Sequence, residues 1–174
     1  VKNISQFSWA SDNKSYVQAV KGGYLLTDIK TNKQDTLISL YQLNKNFTDN
    51  KLKALPTIKF KNNNLASFIA NNQVYFIEKS GNTWKINQII PLNTEAANIK
   101  ILNDNLIVYT VKNNLFIKKN GQELPITKDF NENILNGQAV HRNEFGIDGG
   151  IFVSPNSENI AFYKMDQSMV ADYP

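Results

Sequence analysis

The fold of this chain is decided by a stretch that occurs twice, first as Leu65-Ala-Ser-Phe-Ile-Ala-Asn-Asn-Gln-Val-Tyr-Phe-Ile77 and again as Leu106-Ile-Val-Tyr-Thr-Val-Lys-Asn-Asn-Leu-Phe-Ile117. Each copy consists of a run of β-branched and aromatic residues, a polar interruption rich in Asn, and a second apolar run. This pattern is typical of a β-hairpin, because Asn tolerates the backbone angles of a tight turn. The duplication therefore predicts two hairpins in equivalent places of a repeated unit.

A short apolar strand precedes each hairpin and marks the repeat along the whole chain. It occurs as Phe7-Ser-Trp9, Ile58-Lys-Phe60, Ile99-Lys-Ile101 and Ile151-Phe-Val153. Successive copies lie about 40 to 50 residues apart, and each is followed by a second apolar strand, which is the pattern of β-propeller blades. The chain is therefore predicted to be all-β, a partial β-propeller of about three to four blades of four-stranded antiparallel sheet. A β-sandwich with evenly spaced strands is the alternative.

The remaining predicted strands and turns follow from the same alternation of apolar runs and turn residues. Further strands are predicted at 24–29, 65–70, 73–78, 83–89, 106–111 and 115–118. Turns that need positive φ are predicted at Gly22-Gly23, Asn71-Asn72, Gly81-Asn82 and Asn113-Asn114.

Composition narrows the class of protein. The 174 residues are 41% hydrophobic and 20% charged, which is enough apolar material for a core. The net charge is +4, but all basic residues except one are Lys, spread among Asn-rich turns, so we expect solvated strand edges and no nucleic-acid partner. The absence of Cys excludes disulfides and thiolate catalysis. No apolar run is long enough to span a membrane, and no signal peptide is visible.

The stretch Val140-His-Arg-Asn-Glu144-Phe-Gly-Ile-Asp-Gly-Gly-Ile-Phe-Val-Ser-Pro155 contains the only His and the only Arg, beside an acid and a Gly-rich turn. With Ile160-Ala-Phe-Tyr-Lys-Met-Asp-Gln-Ser-Met-Val-Ala-Asp-Tyr-Pro174, it resembles the N-terminal propeller domain of the dipeptidyl peptidase IV family of serine peptidases, especially bacterial members. Known members join an eight-bladed propeller to an α/β-hydrolase domain. They release dipeptides from free N-termini, with Pro or Ala preferred at the second residue.

The resemblance implies a role for two residues of this stretch. The family carries an acidic pair followed by Phe, and the pair binds the α-ammonium group of the substrate. Glu144 falls on the second acid of the pair, and Asn143 falls on the first. Asn143 departs from the family pattern, since an amide can accept a hydrogen bond but brings no charge. Substrate binding is therefore expected at Glu144, with Asn143 as a second, weaker ligand or as a sign of a different peptide preference.

Several residues of the stretch have a simpler interpretation. Glu144 could instead pair with Arg142 or cap a short helical turn. His141 is interpreted as a packed or turn-bonding imidazole, because the chain has no Gly-x-Ser-x-Gly elbow. Gly146, Gly149 and Gly150 lack the spacing of a phosphate loop and are interpreted as linker geometry. A lone His with scattered acids makes no metal site, and Asp148, Asp166 and Asp172 are assigned to turns and blade edges.

Residues 1–174 are therefore interpreted as an N-terminal propeller segment, truncated, with the catalytic hydrolase domain expected downstream. The segment should contain no catalytic residue, metal or cofactor. It should help to bind the peptide N-terminus and restrict access, in a parent that is a serine exopeptidase, with a homodimer as a possibility. From the resemblance we expect a periplasmic, cell-envelope or secreted location. The alternatives are a noncatalytic propeller that binds a protein or peptide, favoured by Asn143, and a structural repeat protein of the cell envelope.

Overall fold

The computed structural model describes residues 7–103, 106–140 and 144–170, and for Glu144 it describes only the backbone. These residues form sixteen β-strands, one short α-helix and one 3₁₀ turn. Among them, no helix has the length and apolar character needed to cross a membrane. The chain divides into two compact units, 1–91 and 92–174.

The first unit contains two four-stranded antiparallel sheets, each a simple meander. The first sheet consists of β1 (Phe7–Trp9), β2 (Ser15–Val20), β3 (Gly23–Asp28) and β4 (Gln34–Ser39). The second consists of β5 (Ile58–Phe60), β6 (Leu65–Ala70), β7 (Gln73–Ser80) and β8 (Thr83–Pro91). Helix α1 (Leu40–Asn44) follows β4 and begins with a capping box, in which the side chains and backbones of Ser39 and Gln42 bond reciprocally.

The core of the first unit lies between its two sheets. Tyr24, Phe68, Ile77 and Trp84 are almost completely buried there. The Tyr24 hydroxyl accepts a hydrogen bond of 3.0 Å from the backbone N–H of Ile58, so that a polar group in the core is satisfied by the neighbouring sheet.

The second unit contains a third four-stranded sheet and two short ladders. The sheet consists of β9 (Ala96–Asn103), β10 (Leu106–Val111), β11 (Asn114–Lys119) and β12 (Gln122–Pro125). In the ladders, β13 (Ile134–Asn136) pairs with β16 (Lys164–Asp166), and β14 (Ile151–Val153) pairs with β15 (Ile160–Phe162). Val108, Leu115 and Ile151 form the buried centre of this unit.

The predicted fold class is confirmed. Three four-stranded antiparallel meanders in sequence, with further strand pairs after them, make the architecture a partial β-propeller. All four copies of the short marker strand are β-structure, as β1, β5, part of β9, and β14. Every other predicted strand lies on an observed strand, with ends that differ by at most a few residues.

Two of the four predicted turns were placed one residue too far along the chain. Val111 pairs with Asn114, so the turn is Lys112-Asn113 and Asn114 already belongs to β11. Val20 likewise pairs with Gly23, so that turn is Lys21-Gly22. Lys112 has the left-handed conformation that was expected of an Asn, with φ of 51°. The strand register is the reason, because it puts Lys112 at the first position of the turn. The turns at Asn71-Asn72 and Gly81-Asn82 are confirmed.

Candidate functional site

The stretch that contains the predicted site leaves the sheet from within a strand. β15 and β16 are one nearly continuous strand, separated only by Tyr163, and β14 and β13 pair with its two halves. The backbone N–H of Gly137 donates to the Tyr163 carbonyl at 2.8 Å, and the Tyr163 N–H donates to the Gly150 carbonyl at 2.9 Å. The chain therefore departs after Gly137 and returns at Gly150. We call residues 138–150 the excursion.

The two ends of the excursion touch each other at a narrow neck. A Cβ atom added to Gly150 would stand 2.1 Å from the carbonyl oxygen of Gln138, a distance that no real side chain tolerates. The side-chain amide of Gln138 donates to the Lys112 carbonyl at 3.1 Å and so ties the neck to the β10–β11 turn. Gly150 was predicted to provide linker geometry, and the neck shows the physical reason: only Gly allows the two backbones this close approach.

Within the excursion the structure describes a 3₁₀ turn, Glu144–Gly146. Phe145 has φ of 56° and ψ of 22°, and its side chain is 92% exposed. A left-handed conformation in an aromatic residue is strained, and such strain concentrates at functional positions. The 3₁₀ turn fixes where the backbone of Glu144 lies, while Asn143, His141, Arg142 and the side chain of Glu144 lie outside the described residues.

A small polar cavity of about 100 Å³ lies between the returning limb of the excursion and β9. Its lining includes Asn98, Lys100, Asp148 and Gly149. β9 is irregular at this point, because its register with β10 shifts between Val108 and Thr110. Asn98 has φ of 52° and donates to the Thr110 hydroxyl at 2.9 Å. The cavity offers an ammonium and a carboxylate, and its size suits a water molecule or a single polar group.

A second polar network lies behind the split strand and was missed by the sequence analysis. Asp129 accepts hydrogen bonds from the Lys164 ammonium at 3.0 Å and from the Asn136 side-chain amide at 2.9 Å. Both contacts stabilise the charged carboxylate and lower the pKa of Asp129, with Lys164 as the larger cause. Among the described residues, the buried Oδ1 of Asn136 has no hydrogen-bond partner.

Two larger clefts lie in the first unit, on either side of Asn46. One, of about 430 Å³, runs between α1 and β8, and the other, of about 470 Å³, is lined by Phe47 and Tyr75 among others. Neither cleft contains a residue that the sequence predicted to bind substrate. Over the described residues, no group of three or more His, Cys, Asp or Glu side chains could hold a metal ion.

Residues 103–174, which include the split strand and the excursion, match the family model described as Dipeptidyl peptidase IV (DPP IV) N-terminal region. The chain resembles the N-terminal region of dipeptidyl peptidase IV. The resemblance inferred from Asn143-Glu144-Phe145 and the strand that follows is thereby confirmed.

Individual relatives extend this similarity to nearly the whole chain. The Arthroderma benhamiae protein named probable dipeptidyl peptidase 4 is 27% identical over 175 residues, which is 93% of this chain and 22% of that protein. A crystal structure from Bacteroides ovatus, assigned as a dipeptidyl aminopeptidase IV, is 27% identical with a TM-score of 0.80, covering 99% of this chain and 24% of the other.

Porphyromonas gingivalis dipeptidyl peptidase 4 shares the fold. Its crystal structure gives a TM-score of 0.64 at 20% identity, covering 96% of this chain and 26% of that one. The chain thus spans about a quarter of the length of the relatives that it matches.

Proposed function

We propose that this chain forms part of the propeller of a serine exopeptidase that releases dipeptides from free N-termini, with Pro or Ala preferred at the second residue. In this proposal the excursion binds the α-ammonium group of the substrate through Glu144, assisted by Asn143. The observation that supports it best is that the region matching the family model contains an excursion from within a blade strand, and that Glu144 begins a 3₁₀ turn in this excursion.

The chemistry of ammonium binding explains why a carboxylate is needed at such a site. A cation that leaves water requires compensating charge, and each charge-assisted hydrogen bond contributes about 1.5 to 3 kcal/mol. A fixed distance between this anchor and the scissile bond would limit the product to a dipeptide. Asn143 supplies an amide oxygen without charge, so the anchor is expected to be weaker than one made of two acids.

Catalysis itself is assigned to a hydrolase domain of the parent protein, which would supply the Ser, His and acid of a triad. The 174-residue sequence contains no Gly-x-Ser-x-Gly elbow, so the chain's own contribution is substrate binding and restricted access. A periplasmic, cell-envelope or secreted location is part of the proposal, as is a homodimer. Cell fractionation tests the location, and sedimentation of the purified parent protein by analytical ultracentrifugation tests the homodimer.

The decisive experiment measures cleavage of Gly-Pro and Ala-Ala chromogenic substrates by the full-length protein, with free and with acetylated N-termini. For Glu144→Gln we expect kcat/KM on free-amine substrates to fall at least tenfold, which corresponds to about 1.4 kcal/mol of transition-state binding. Acetylated substrates should not be cleaved. The matched control is Glu132→Gln, an exposed acid of the same unit. If neither acetylation of the substrate nor Glu144→Gln changes the rate of cleavage, binding of the α-ammonium group by Glu144 is contradicted.

Asn143 offers a complementary test in the opposite direction. Asn143→Glu completes the acidic pair and should lower KM for free-amine substrates, because a second carboxylate adds charge-assisted contacts. An unchanged KM would show that the first position of the pair does not face the ammonium group.

A noncatalytic propeller that binds a peptide is the second candidate, and Asn143 in place of an acid favours it. The two functions are separated by mixing the full-length protein with a free-amine peptide and measuring both binding and product. Binding without cleavage, retained after active-site serine inhibitors, would establish the binding module.

A further inference from the structure

The outer edge of the second sheet is covered by side chains from α1 and the turn after it, instead of by a further strand. β8 is the last strand of that sheet, and among the described residues it pairs only with β7. An edge of this kind offers a row of N–H and C=O groups to any other extended chain. We propose that the outer edge of β8 is a strand-pairing surface for a second copy of this chain, and that Gln42 and Asn46 keep it closed. The proposal does not rest on the proposed function.

Two side chains occupy backbone groups at the start of β8. The Gln42 side-chain amide donates to the Asn82 carbonyl at 3.3 Å. The Asn46 amide donates to the Trp84 carbonyl at 3.0 Å, and its Oδ1 accepts from the Ile86 N–H at 3.1 Å. These groups belong to the alternate residues 82, 84 and 86, which is the spacing of backbone groups that point to one side of a strand. Asn46 therefore bonds to β8 as the backbone of a neighbouring strand would.

The helical path of residues 42–46 matches the repeat of the strand. Gln42 and Asn46 lie four positions apart, and the chain continues past α1 with the Asn46 N–H donating to the Leu43 carbonyl at 3.0 Å. Four residues on such a path advance by about 6 to 8 Å, and two residues of an antiparallel strand advance by about 6.8 Å. Leu43 is completely buried and holds this segment against the core. The two amides are thus held in register with β8.

A second copy fits this edge because the backbone of β8 is self-complementary. About a two-fold axis at Trp84, the two Trp84 residues face each other and exchange N–H···O bonds, as in any antiparallel hydrogen-bonded pair. Ile86 of each copy then faces Asn82 of the other, and its N–H donates to that carbonyl. Pairing therefore needs the same groups that Gln42 and Asn46 occupy.

The composition of β8 also favours pairing with a second copy. In the same register Lys85 faces Thr83 of the other copy, so two ammonium groups are not placed directly opposite each other. Lys85 is the one charged residue of the strand. A strand with much β-branched and aromatic character and little charge is the type that self-associates when its edge is uncovered. Residues of that character in β8 are Thr83, Trp84, Ile86, Ile89 and Ile90.

Hydrogen bonds, more than packing, close the seam between α1 and β8. A cleft of about 430 Å³ runs along the seam and is lined by Gln42, Asn46 and Ile86 among others. Gln42 and Asn46 are only partly buried, whereas Leu43 beside them is part of the core. Removal of the two amides therefore uncovers the edge without emptying the core.

Closure is tested by removing the two amides in the full-length protein. Gln42→Glu keeps the oxygen that accepts from the Ser39 N–H in the capping box, but it loses the donor to Asn82. Asn46→Ala loses both contacts with β8. For the double variant we expect sedimentation velocity to show species of at least twice the mass of the parent assembly, in a proportion that rises with protein concentration. A double variant with the parent's mass at every concentration would overturn the proposal.

Asn44→Ala is the matched control, because it removes the same kind of side chain from the same helix. The Asn44 amide donates to the Leu52 carbonyl at 3.0 Å, and its Oδ1 accepts from the Leu52 N–H at 2.8 Å. Both bonds go to the following loop and not to β8. This variant should keep the parent's mass even where its thermal midpoint falls. Equal association of the control and the double variant would trace the association to lost stability and reject the role of the edge.

The register of the pairing is tested by cross-linking. Thr83→Cys and Lys85→Cys are introduced separately into the double variant, and the two proteins are mixed and oxidised. Residues that face each other at a non-hydrogen-bonded position have Cα atoms about 4.5 Å apart, within reach of a disulfide. Two copies of the same Cys would lie on the diagonal, about 7 to 8 Å apart, which is too far. Mass spectrometry should therefore find 83–85 links in excess of 83–83 and 85–85 links, and the reverse excess would refute the two-fold axis at Trp84.

A milder variant keeps the proposal testable if the double variant does not fold. Gln42→Glu alone retains the capping box and frees only the Asn82 carbonyl. Combined with the same Cys pair, it should still give more of the 83–85 link than the parent protein with that pair. An equal yield in the two proteins would show that Gln42 does not close the edge.

Discussion

The indole Nε1 of Trp84 donates a hydrogen bond of 2.7 Å to the backbone carbonyl of Leu37. The donor lies on β8 of the second sheet and the acceptor on β4 of the first, and both residues are buried. The two sheets also share an apolar core that includes Tyr24, Phe68 and Ile77. Here the packing is accompanied by a polar contact that satisfies an inward-facing carbonyl, so the register of one sheet against the other is specified as well as stabilised.

Trp84→Phe should therefore destabilise the protein by about 2 to 4 kcal/mol, because it removes buried ring atoms and leaves the Leu37 carbonyl without its donor. Equilibrium urea unfolding followed by far-ultraviolet circular dichroism measures the change. Trp9→Phe is the control. Its ring is 64% exposed, so the change should stay within about 0.5 kcal/mol. Similar losses for the two variants would show that the contact with Leu37 is not stabilising.

Asn46 is expected to be the most sensitive Asn of the first unit. Its amide donates to the Trp84 carbonyl at 3.0 Å and to Leu43 at 3.1 Å, and its Oδ1 accepts from the Ile86 N–H at 3.1 Å. Asn46→Ala should cost about 1 to 3 kcal/mol, since it leaves backbone groups of β8 unsatisfied. Urea unfolding is the measurement, with the exposed Asn64→Ala as control. A cost at Asn46 no larger than at Asn64 would mean that water replaces the lost bonds.

Most of the strands were predictable from the sequence, whereas two of the four turns were not. Short apolar runs mark the strands β6, β7 and β10 almost to the residue. Burial alternates along β6, whereas β7 and β10 each bury four consecutive residues. The turn at Lys112 depends on the pairing of Val111 with Asn114, a contact that no local preference encodes. The short edge strands β4 and β12 are rich in polar residues and carry little of the apolar signal.

The candidate site was only partly predictable for the same reason. The resemblance pointed to Glu144, and Gly150 was visible as a linker Gly, but the split strand is a property of pairing between residues far apart in sequence. Lys100 likewise lies against the excursion, next to the irregular part of β9, and neither feature is visible in the sequence. The available signal was a pair of turn residues near each end of the excursion, Asn136-Gly137 and Gly149-Gly150. Such pairs indicate turns, but they do not reveal that the two ends meet.

Asp129 should make the stability of the protein depend on acid pH. Its native pKa lies below the ordinary value of 3.8, chiefly because of Lys164, so the charged form stabilises the native state. That contribution is present above pH 3.8 and is lost as the pH falls through the lower native pKa. The difference in urea midpoint between the parent and Asp129→Asn should thus be present at pH 7 and shrink below pH 4.

The control for this pH dependence is Asp35→Asn. Asp35 pairs with Lys33 at 3.2 Å, but both side chains are mostly exposed, so water screens the pair and little change is expected at any pH. Lys164→Met should reproduce the behaviour of Asp129→Asn. A parent-to-variant difference that stays constant from pH 7 to pH 2 would show that Asp129 acts through packing and not through its charge.

Phe145 should respond to substitution in opposite ways in stability and in substrate binding. Its left-handed backbone costs about 1 to 2 kcal/mol for a residue with a side chain, and Gly escapes this cost while losing about 0.5 to 1 kcal/mol to unfolded-state entropy. Because the ring is 92% exposed, little packing is lost, and Phe145→Gly should leave stability unchanged or raised by up to about 1 kcal/mol. At the exposed Phe130, which lies outside the left-handed region, the same change should destabilise.

In the proposed function, the strained and exposed aromatic residue beside Glu144 contacts the bound peptide. Phe145→Gly should therefore raise KM for Gly-Pro substrates severalfold, and Phe145→Asn, which tolerates the same backbone, should do likewise because it also lacks the ring. Phe130→Gly should leave KM unchanged. If both Phe145 variants keep the parental KM while stability rises, the left-handed backbone at Phe145 only directs the chain through the turn and has no role in substrate binding. If stability falls instead, the ring packs against residues of the protein and Phe145 is part of the fold.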